Sequence, residues 1–301
     1  MIETVDLNKS FGEIHAVNSV SVSMKEREIF GLVGTNGAGK STLLRMIAGV
    51  MRPDSGEVWM DGKPLTDDPD DKRNIFFIPN DFYYSPNSTG EDMARYFLEL
   101  YPSFSMEHFQ QWMKAFDLDG RRRISAFSKG MKKQLSLILG LSAGTKYLLC
   151  DETFDGLDPV MRRDFSSLIA GEMEDRGLTP VLTSHNLREI EDLCDHIGVL
   201  HKGGILLSQD LSDARTHFQK VQCVFSAGGD ASALLNDEKI SSHECRGRLM
   251  ILTIRADRGE VISMFESVHT DYFEILPLSL EEIFISEVKA AGYSENIIIM
   301  N

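Results

Sequence analysis

The spacing of apolar and polar positions along the 301 residues changes several times, and each change marks an element. In "GEIHAVNSVSVSM", Val17, Val20 and Val22 mix with small polar residues, which predicts short antiparallel strands up to about residue 30 with Gly12 in a turn. A compact apolar run, "EIFGLVG", then predicts a strand, and "KSTLLRMIAG" a helix directly after it. "RPDSGEVWMDGKPL" predicts a turn and a strand at Glu57 to Met60 closed by Asp61-Gly62, and "NIFFIP" another short strand. From Gly90 to about Gly144 the period becomes helical: Met93, Phe97, Leu98 and Tyr101 recur at three- and four-residue spacing, as do Phe109, Met113 and Phe116. This helical stretch is expected to stand apart from the sheet. "KYLLCDE" and "TPVLTSH" are apolar runs separated by the helical pattern "PVMRRDFSSLIAGEMEDRG", a βαβ unit that feeds a parallel sheet. "IGVLHKGGILLSQ" predicts a closing hairpin that turns on Gly203-Gly204.

Past about residue 214 the pattern predicts strands at "QKVQCVFS", "RLMILTIRA" and "YFEILPL" and a helix at "RGEVISMFESVH", a small α+β appendage. "TDDPDD" reads as a short acidic loop, and no internal repeat or low-complexity segment interrupts the chain.

Composition narrows the class. A chain of this length with 42% hydrophobic residues supports one large domain plus a small one. Cys150, Cys194, Cys223 and Cys245 are scattered with no C-x-x-C pair, which points to neither a zinc site nor a disulfide framework. "MIETVDLNKS" lacks a signal-peptide pattern, and no run approaches the roughly 20 apolar residues a membrane span requires. A net charge of −15 argues against broad nucleic-acid binding, and Arg121 to Arg123 read as a solvated loop.

Between the predicted strand and helix lies "GLVGTNGAGKST", in which Gly34 to Ser41 fit G-x-x-x-x-G-K-[ST]. Gly37 and Gly39 let backbone amides of residues 36 to 42, Asn36, Ala38 and Thr42 among them, curl around a phosphate. Lys40 neutralises β and γ phosphates, Ser41 offers a hydroxyl to Mg²⁺, and the helix N-terminus points its positive end at the anion. The motif alone leaves kinases, GTPases, helicases and transport ATPases open. Asp151 and Glu152 end the strand "YLLCDE"; the first acid suits Mg²⁺ and the second, beside the γ-phosphate, suits taking a proton from an attacking water. His185 ends the next strand and reaches the same sheet edge. In "AFSKGMKKQLSLILG", Ser128 caps a helix whose apolar face includes Met131, Leu135, Ile138 and Ser142.

Taken in this order, the phosphate loop, the capped helix, the acid pair and the histidine resemble the ATP-binding cassette (ABC) ATPases, whose signature segment is usually LSGGQ. The resemblance covers residues 1 to about 212. It implies an α/β fold: a P-loop ABC-ATPase core with a mixed sheet, an antiparallel β subdomain and a helical subdomain at about 82–144, followed by the small C-terminal α+β domain at 213–301. It also implies two cassettes that close head to tail, Ser128 and Gly130 of each serving the γ-phosphate held by the other. Lys129 replaces the signature's second-position glycine and Met131 its glutamine. A lysine at a helix N-terminus opposes the macrodipole unless an anion, such as the γ-phosphate, sits beside it. "FDGLDP" resembles the D-loop, with Asp158 expected at the dimer seam and Asp155 standing where a small residue is usual. Phe11 resembles the aromatic that stacks on adenine. Asn80 stands where a glutamine usually reaches Mg²⁺ and water.

The resemblance is nearest to the ATP-binding subunits of bacterial exporters of the antibiotic-resistance and acetoin-utilisation kind. It implies an ATPase with ATP and Mg²⁺ as ligands: Glu152 and His185 catalytic, Ser41, Asp151 and Asn80 at the metal, in a homo- or heterodimer. It further implies a cytoplasmic location at the membrane, export by a separate permease chain, and docking beside Asn80 and segment 82–120 with Phe82, Tyr83 and Tyr84 as surface aromatics. "LPLSLEEIFI" resembles a short phrase near the end of many exporter ATPases. Two other functions remain open at this point: a soluble ABC-type ATPase acting on nucleic acid or another assembly, and an ATP-gated binding subunit that scarcely hydrolyses.

Overall fold

The computed structural model describes residues 1–226, 232–266, 268–276, 278–279 and 281–283. The chain divides into two units, Met1–Ser208 and Gln209–Asn301.

The first unit opens with β1 (Ile2–Phe11) and β2 (Ile14–Met24), antiparallel and joined at Gly12. Both strands are bulged: Asp6 and Ser19 take φ of 47 and 48 where the register slips. β3 (Phe30–Val33) leads into α1 (Lys40–Ile47), followed by β4 (Ser55–Met60) and β5 (Lys63–Pro64) around the Asp61-Gly62 turn. The acidic stretch is not only a loop. Asp68 accepts the Asp70 amide at 2.9 Å and caps the short helix α2 (Pro69–Lys72), whose first position a proline suits. β6 (Ile75–Ile78) follows. The first sheet runs β2-β1-β4-β5.

The helical stretch contains α3 (Gly90–Leu100), α4 (Met106–Ala115), a 3₁₀ turn at Ile124–Ala126 and α5 (Lys129–Ser142). Thr89 and Asp92 form a capping box on α3, and Ser105 caps α4. α5 does not stand apart from the sheet. Its C-terminal half is buried on every side, and a Cβ at Gly140 would lie 2.9 to 3.1 Å from Leu148, Ile78 and Phe76. Glycine there lets the helix backbone sit directly on the strands. Leu98 is exposed, and Tyr101 lies just past α3 rather than within it.

β7 (Tyr147–Asp151), α6 (Pro159–Arg176), β8 (Thr179–Ser184), α7 (Leu187–Ile190), β9 (His196–His201) and β10 (Gly204–Asp210) follow. β3, β7 and β8 are buried at every residue, the mark of parallel strands covered on both faces. The second sheet runs β10-β9-β3-β8-β7-β6. The last hairpin turns on Lys202-Gly203, one residue earlier than the glycine pair suggests, because Lys202 itself adopts a φ of 46 and Gly204 starts β10. The core joins the two sheets through α1: Leu43, Leu44 and Ile47 pack with Ile2, Val20, Phe30 and Leu149.

Asp61 ties the β4–β5 turn to the start of β7. Burial alone would raise its carboxyl. Hydrogen bonds from Lys146, the Met1 amino group and the Tyr147 hydroxyl outweigh that and hold it well below the usual carboxylate range. A depressed folded-state value gives stability that is present above the unfolded value and lost as pH falls through the folded one. Asp61→Asn is therefore expected to lower the melting temperature near pH 7, a difference that shrinks progressively as pH falls below the ordinary carboxylate value of 3.8, as thermal melts of both proteins would show.

The second unit contains α8 (Leu211–His217), β11 (Gln219–Phe225), α9 (Ser232–Leu235), β12 (Ile240–Arg246), β13 (Leu249–Ile254), α10 (Arg258–Glu266) and β14 (Thr270–Leu276). Its sheet is antiparallel in the order β12-β13-β11-β14, and Val221, Leu252, Ile254, Val261 and Phe265 form its core. Sequence "LPLSLEEIFI" runs into Pro277, Leu280, Phe284 and Ile285, which lie outside the described residues.

Candidate functional site

Parallel register aligns the carboxyl ends of four strands. Ile78 pairs with Cys150, Asp151 with Thr183, and Val33 with Ser184, so the residues that follow β6, β7, β8 and β3 emerge at one sheet edge. Those residues are Asn80, Asp151 with Glu152, His185, and the loop from Gly34 to Gly39. Such an edge is where parallel α/β sheets bind ligands.

The loop is shaped by its glycines. Gly39 has φ +108, and a Cβ there would lie 2.0 Å from the Ala16 carbonyl oxygen. α1 starts at the next residue with no side-chain cap, so its first amides and its positive end face the loop. Lys40 is only 4% exposed, and a buried ammonium requires partners. Its Nζ donates to the carbonyls of Gly34 (2.8 Å) and Thr35 (3.3 Å) and lies 3.2 Å from Glu152 Oε1. The second Glu152 oxygen accepts from Asn80 Nδ2 at 3.1 Å. Glu152 itself sits at φ 50, an uncommon backbone for a side-chain-bearing residue, held by bonds from its amide to the Thr183 hydroxyl (2.9 Å) and carbonyl (3.2 Å).

Asp151 is fully buried. Its Oδ1 accepts from the hydroxyls of Ser41 and Thr183, each at 2.9 Å, while its buried Oδ2 has no hydrogen-bond partner among the described residues. An unsatisfied carboxylate oxygen beside a serine hydroxyl is a hard-oxygen donor set that fits Mg²⁺. Asn80 turns its amide to Glu152, so the structure joins it to the acid, and its shorter side chain still reaches. His185 Nδ1 lies 3.8 Å from Glu152 Oε1 and 2.7 Å from Asp155 Oδ2.

Ser128 and Gly130 take no part in these hydrogen bonds. Ser128 Oγ instead accepts the Met131 amide at 3.1 Å as the cap of α5, which leaves its hydroxyl proton available to an outside acceptor. Asp158 likewise caps α6 by accepting the amides of Val160 and Met161. Phe11 is at the end of β1, 48% exposed, with Lys9 Nζ 5.8 Å above its ring. Tyr83 is 75% exposed, whereas the Tyr84 hydroxyl turns inward and donates to the Lys132 carbonyl at 2.5 Å.

Two participants escape a reading of sequence alone. Thr183 orients both acids, and its only signal is a hydroxyl near the end of a fully buried strand. Lys133 Nζ donates to the carbonyls of Glu152 (2.8 Å) and Asp155 (2.6 Å), which fastens α5 to the loop after β7.

Comparison with known proteins identifies the family. Residues 17–155 match the family model described as ABC transporter. The chain is 31% identical to the ABC transporter ATP-binding protein YtrB of Bacillus subtilis (strain 168), over 95% of this chain and 98% of that one. It is 25% identical to the bacitracin transport ATP-binding protein BcrA of Bacillus licheniformis, over 95% and 96%. A solved ATP-binding subunit of an ABC transporter superposes with a TM-score of 0.65 at 26% identity, covering 71% of this chain and 92% of that one. Among the described residues no helix is long and apolar enough to cross a membrane. With a glycine-rich loop, a buried lysine and paired acids at one sheet edge, and with these relatives along nearly its whole length, the chain belongs to the ATP-binding subunits of ABC transporters.

Proposed function

We propose that the chain hydrolyses MgATP at the edge formed by β3, β6, β7 and β8, as one half of a dimer that drives a separate membrane permease in export. The observation that carries the hydrolytic part is Glu152, whose two oxygens are held by Lys40 and Asn80. A γ-phosphate competes for the Lys40 ammonium. The Glu152 oxygen released from that pair becomes a base for the attacking water, and Asn80 keeps the other oxygen aimed. His185, beside the same carboxylate, meets the γ-phosphate side. Ser41 and Asp151 would hold Mg²⁺, which would supply charge neutralisation to the phosphates. Phe11 offers its exposed face to adenine.

Dimer closure follows from the cap of α5. Ser128 keeps a free proton, Gly130 adds no bulk, and the helix N-terminus is positive, so a partner's γ-phosphate completes the segment. Transport rests on the relatives: BcrA is a bacitracin transport protein and YtrB a transporter subunit, and neither they nor this acidic chain point to nucleic acid. The subunit would work at the cytoplasmic face of the membrane through its permease.

The permease reading is tested at Tyr83, three residues after Asn80 and 75% exposed. Tyr83→Ala should leave basal turnover unchanged and reduce the stimulation gained on mixing with the co-purified membrane partner. Undiminished stimulation would remove Tyr83 from the docking surface. Recovery of ribosomes or DNA in place of a membrane protein would overturn the transport reading as a whole.

A further inference from the structure

The acid at position 155 contributes more than a D-loop backbone. Its side chain is 9% exposed, and its Oδ2 stands 2.7 Å from His185 Nδ1 while accepting the His185 amide at 3.4 Å. Its Oδ1 is buried with no hydrogen-bond partner among the described residues. A buried carboxylate held this way needs its facing cation or donor. Glu152 Oε1, 3.8 Å away, faces the same ring nitrogen. Two carboxylates around Nδ1 tolerate only a protonated nitrogen there, since a lone pair would meet two anions. Two neighbouring cations are directed at other acceptors: Lys40 at Glu152, and Lys133 at the carbonyls of Glu152 and Asp155.

We propose that Asp155 is the positioning residue of His185: it fixes the ring proton on Nδ1 and so reserves Nε2 for the nucleotide. Which imidazole nitrogen carries the proton is set by the partner of the other, the same logic by which a carboxylate orients a catalytic histidine. The ring is turned off the line of a straight Nδ1–H···Oδ2 bond, so a small rotation about its Cβ–Cγ bond closes the pair. Lys133, by holding the Asp155 carbonyl, ties the backbone of that residue to α5, the helix capped by Ser128.

The inference rests on hydrolysis at this edge, and its test has one arm that does not. Nitrogen-15 NMR of the full chain, with the His185 signals assigned by their loss in His185→Ala, reads the proton directly. We expect a protonated Nδ1 in the wild type and in Asp155→Asn, whose amide oxygen still accepts, and redistribution toward Nε2 in Asp155→Ala. A wild-type ring protonated on Nε2 alone would overturn the proposal. The second arm is a double-mutant cycle in ATP turnover. Asp155→Ala should lower kcat about tenfold with little change in KM, Asp155→Asn should recover most of it, and Asp155→Ala in a His185→Ala background should cost nothing further. Additive losses would show that Asp155 does not act through His185. If the wild type turns over no ATP, the hydrolytic reading fails, while the NMR result still decides the pair.

Discussion

Glu152→Gln is expected to lower ATP turnover by about 10² to 10⁴ while ATP still binds. The substitution keeps size and one acceptor oxygen, so the amide of Asn80 or the ammonium of Lys40 still finds a partner at this position. It removes the one capacity that hydrolysis asks of the residue, that of taking a proton. The contacts around it hold both its carboxylate and its backbone in place. Glu152 stands at φ 50 through two bonds from its amide to Thr183, and Lys133 pins its carbonyl from the other side. Because the backbone is fastened from both directions, the variant should fold and melt like the wild type. Steady-state phosphate release beside equilibrium ATP binding checks both halves: a variant that binds ATP and turns over at the wild-type rate would displace Glu152 from the role of base.

The second large effect concerns the loop rather than the acid. Gly39→Ala places a Cβ 2.0 Å from the Ala16 carbonyl and asks alanine to hold φ +108. The backbone strain costs about 1–3 kcal/mol and the overpacking about 1–3 kcal/mol more. For a domain of this size each kcal/mol moves the melting temperature by about 2–4 °C, so a fall of about 5–20 °C is expected. The loop relieves the clash by moving away from β2, which carries the amides out of position, and ATP affinity should fall with it. Gly37→Ala is the matched control, since a Cβ there meets nothing within 4 Å although its φ is +81. It should cost only the strain. Thermal melts of the two variants, with and without ATP, would reveal a ranking opposite to this one.

Much of the fold was legible because its signals are local. An apolar run closed by a glycine loop, a lysine and two hydroxyls specifies strand, turn and helix within a dozen residues, and β3 and α1 lie there. Two apolar runs with a helix between them likewise foretell β7 and β8 in parallel. The features that escaped are short or polar. α2 hides within an acidic stretch whose proline and preceding aspartate are, in fact, a helix start. β12 carries mostly exposed polar side chains, so no apolar alternation announces it, and it forms only because β13 offers it an edge. The extent to which α5 joins the sheet also depends on distant residues, Phe76, Ile78 and Leu148.

The candidate site divides in the same way. Residues that motif spacing names, Lys40, Ser41, Asp151, Glu152 and His185, come together at one edge because each follows a strand or starts a helix at that edge. Their orienting partners are tertiary. Thr183 belongs to a neighbouring strand, Lys133 to the second turn of a helix named for its first, and Asp155 stands out in sequence only as an acid where a small residue is usual. Ser128 and Gly130 are placed by the first turn of α5, and their proposed ligand belongs to another copy of the chain.

ATP turnover by the purified chain across protein concentration, with Glu152→Gln measured in parallel, tests the central claim most directly. Hydrolysis between two cassettes predicts that turnover rises faster than linearly with protein, and that the variant forms a stable dimer only when ATP is present. Turnover strictly proportional to protein, with the variant monomeric at saturating ATP, would contradict it.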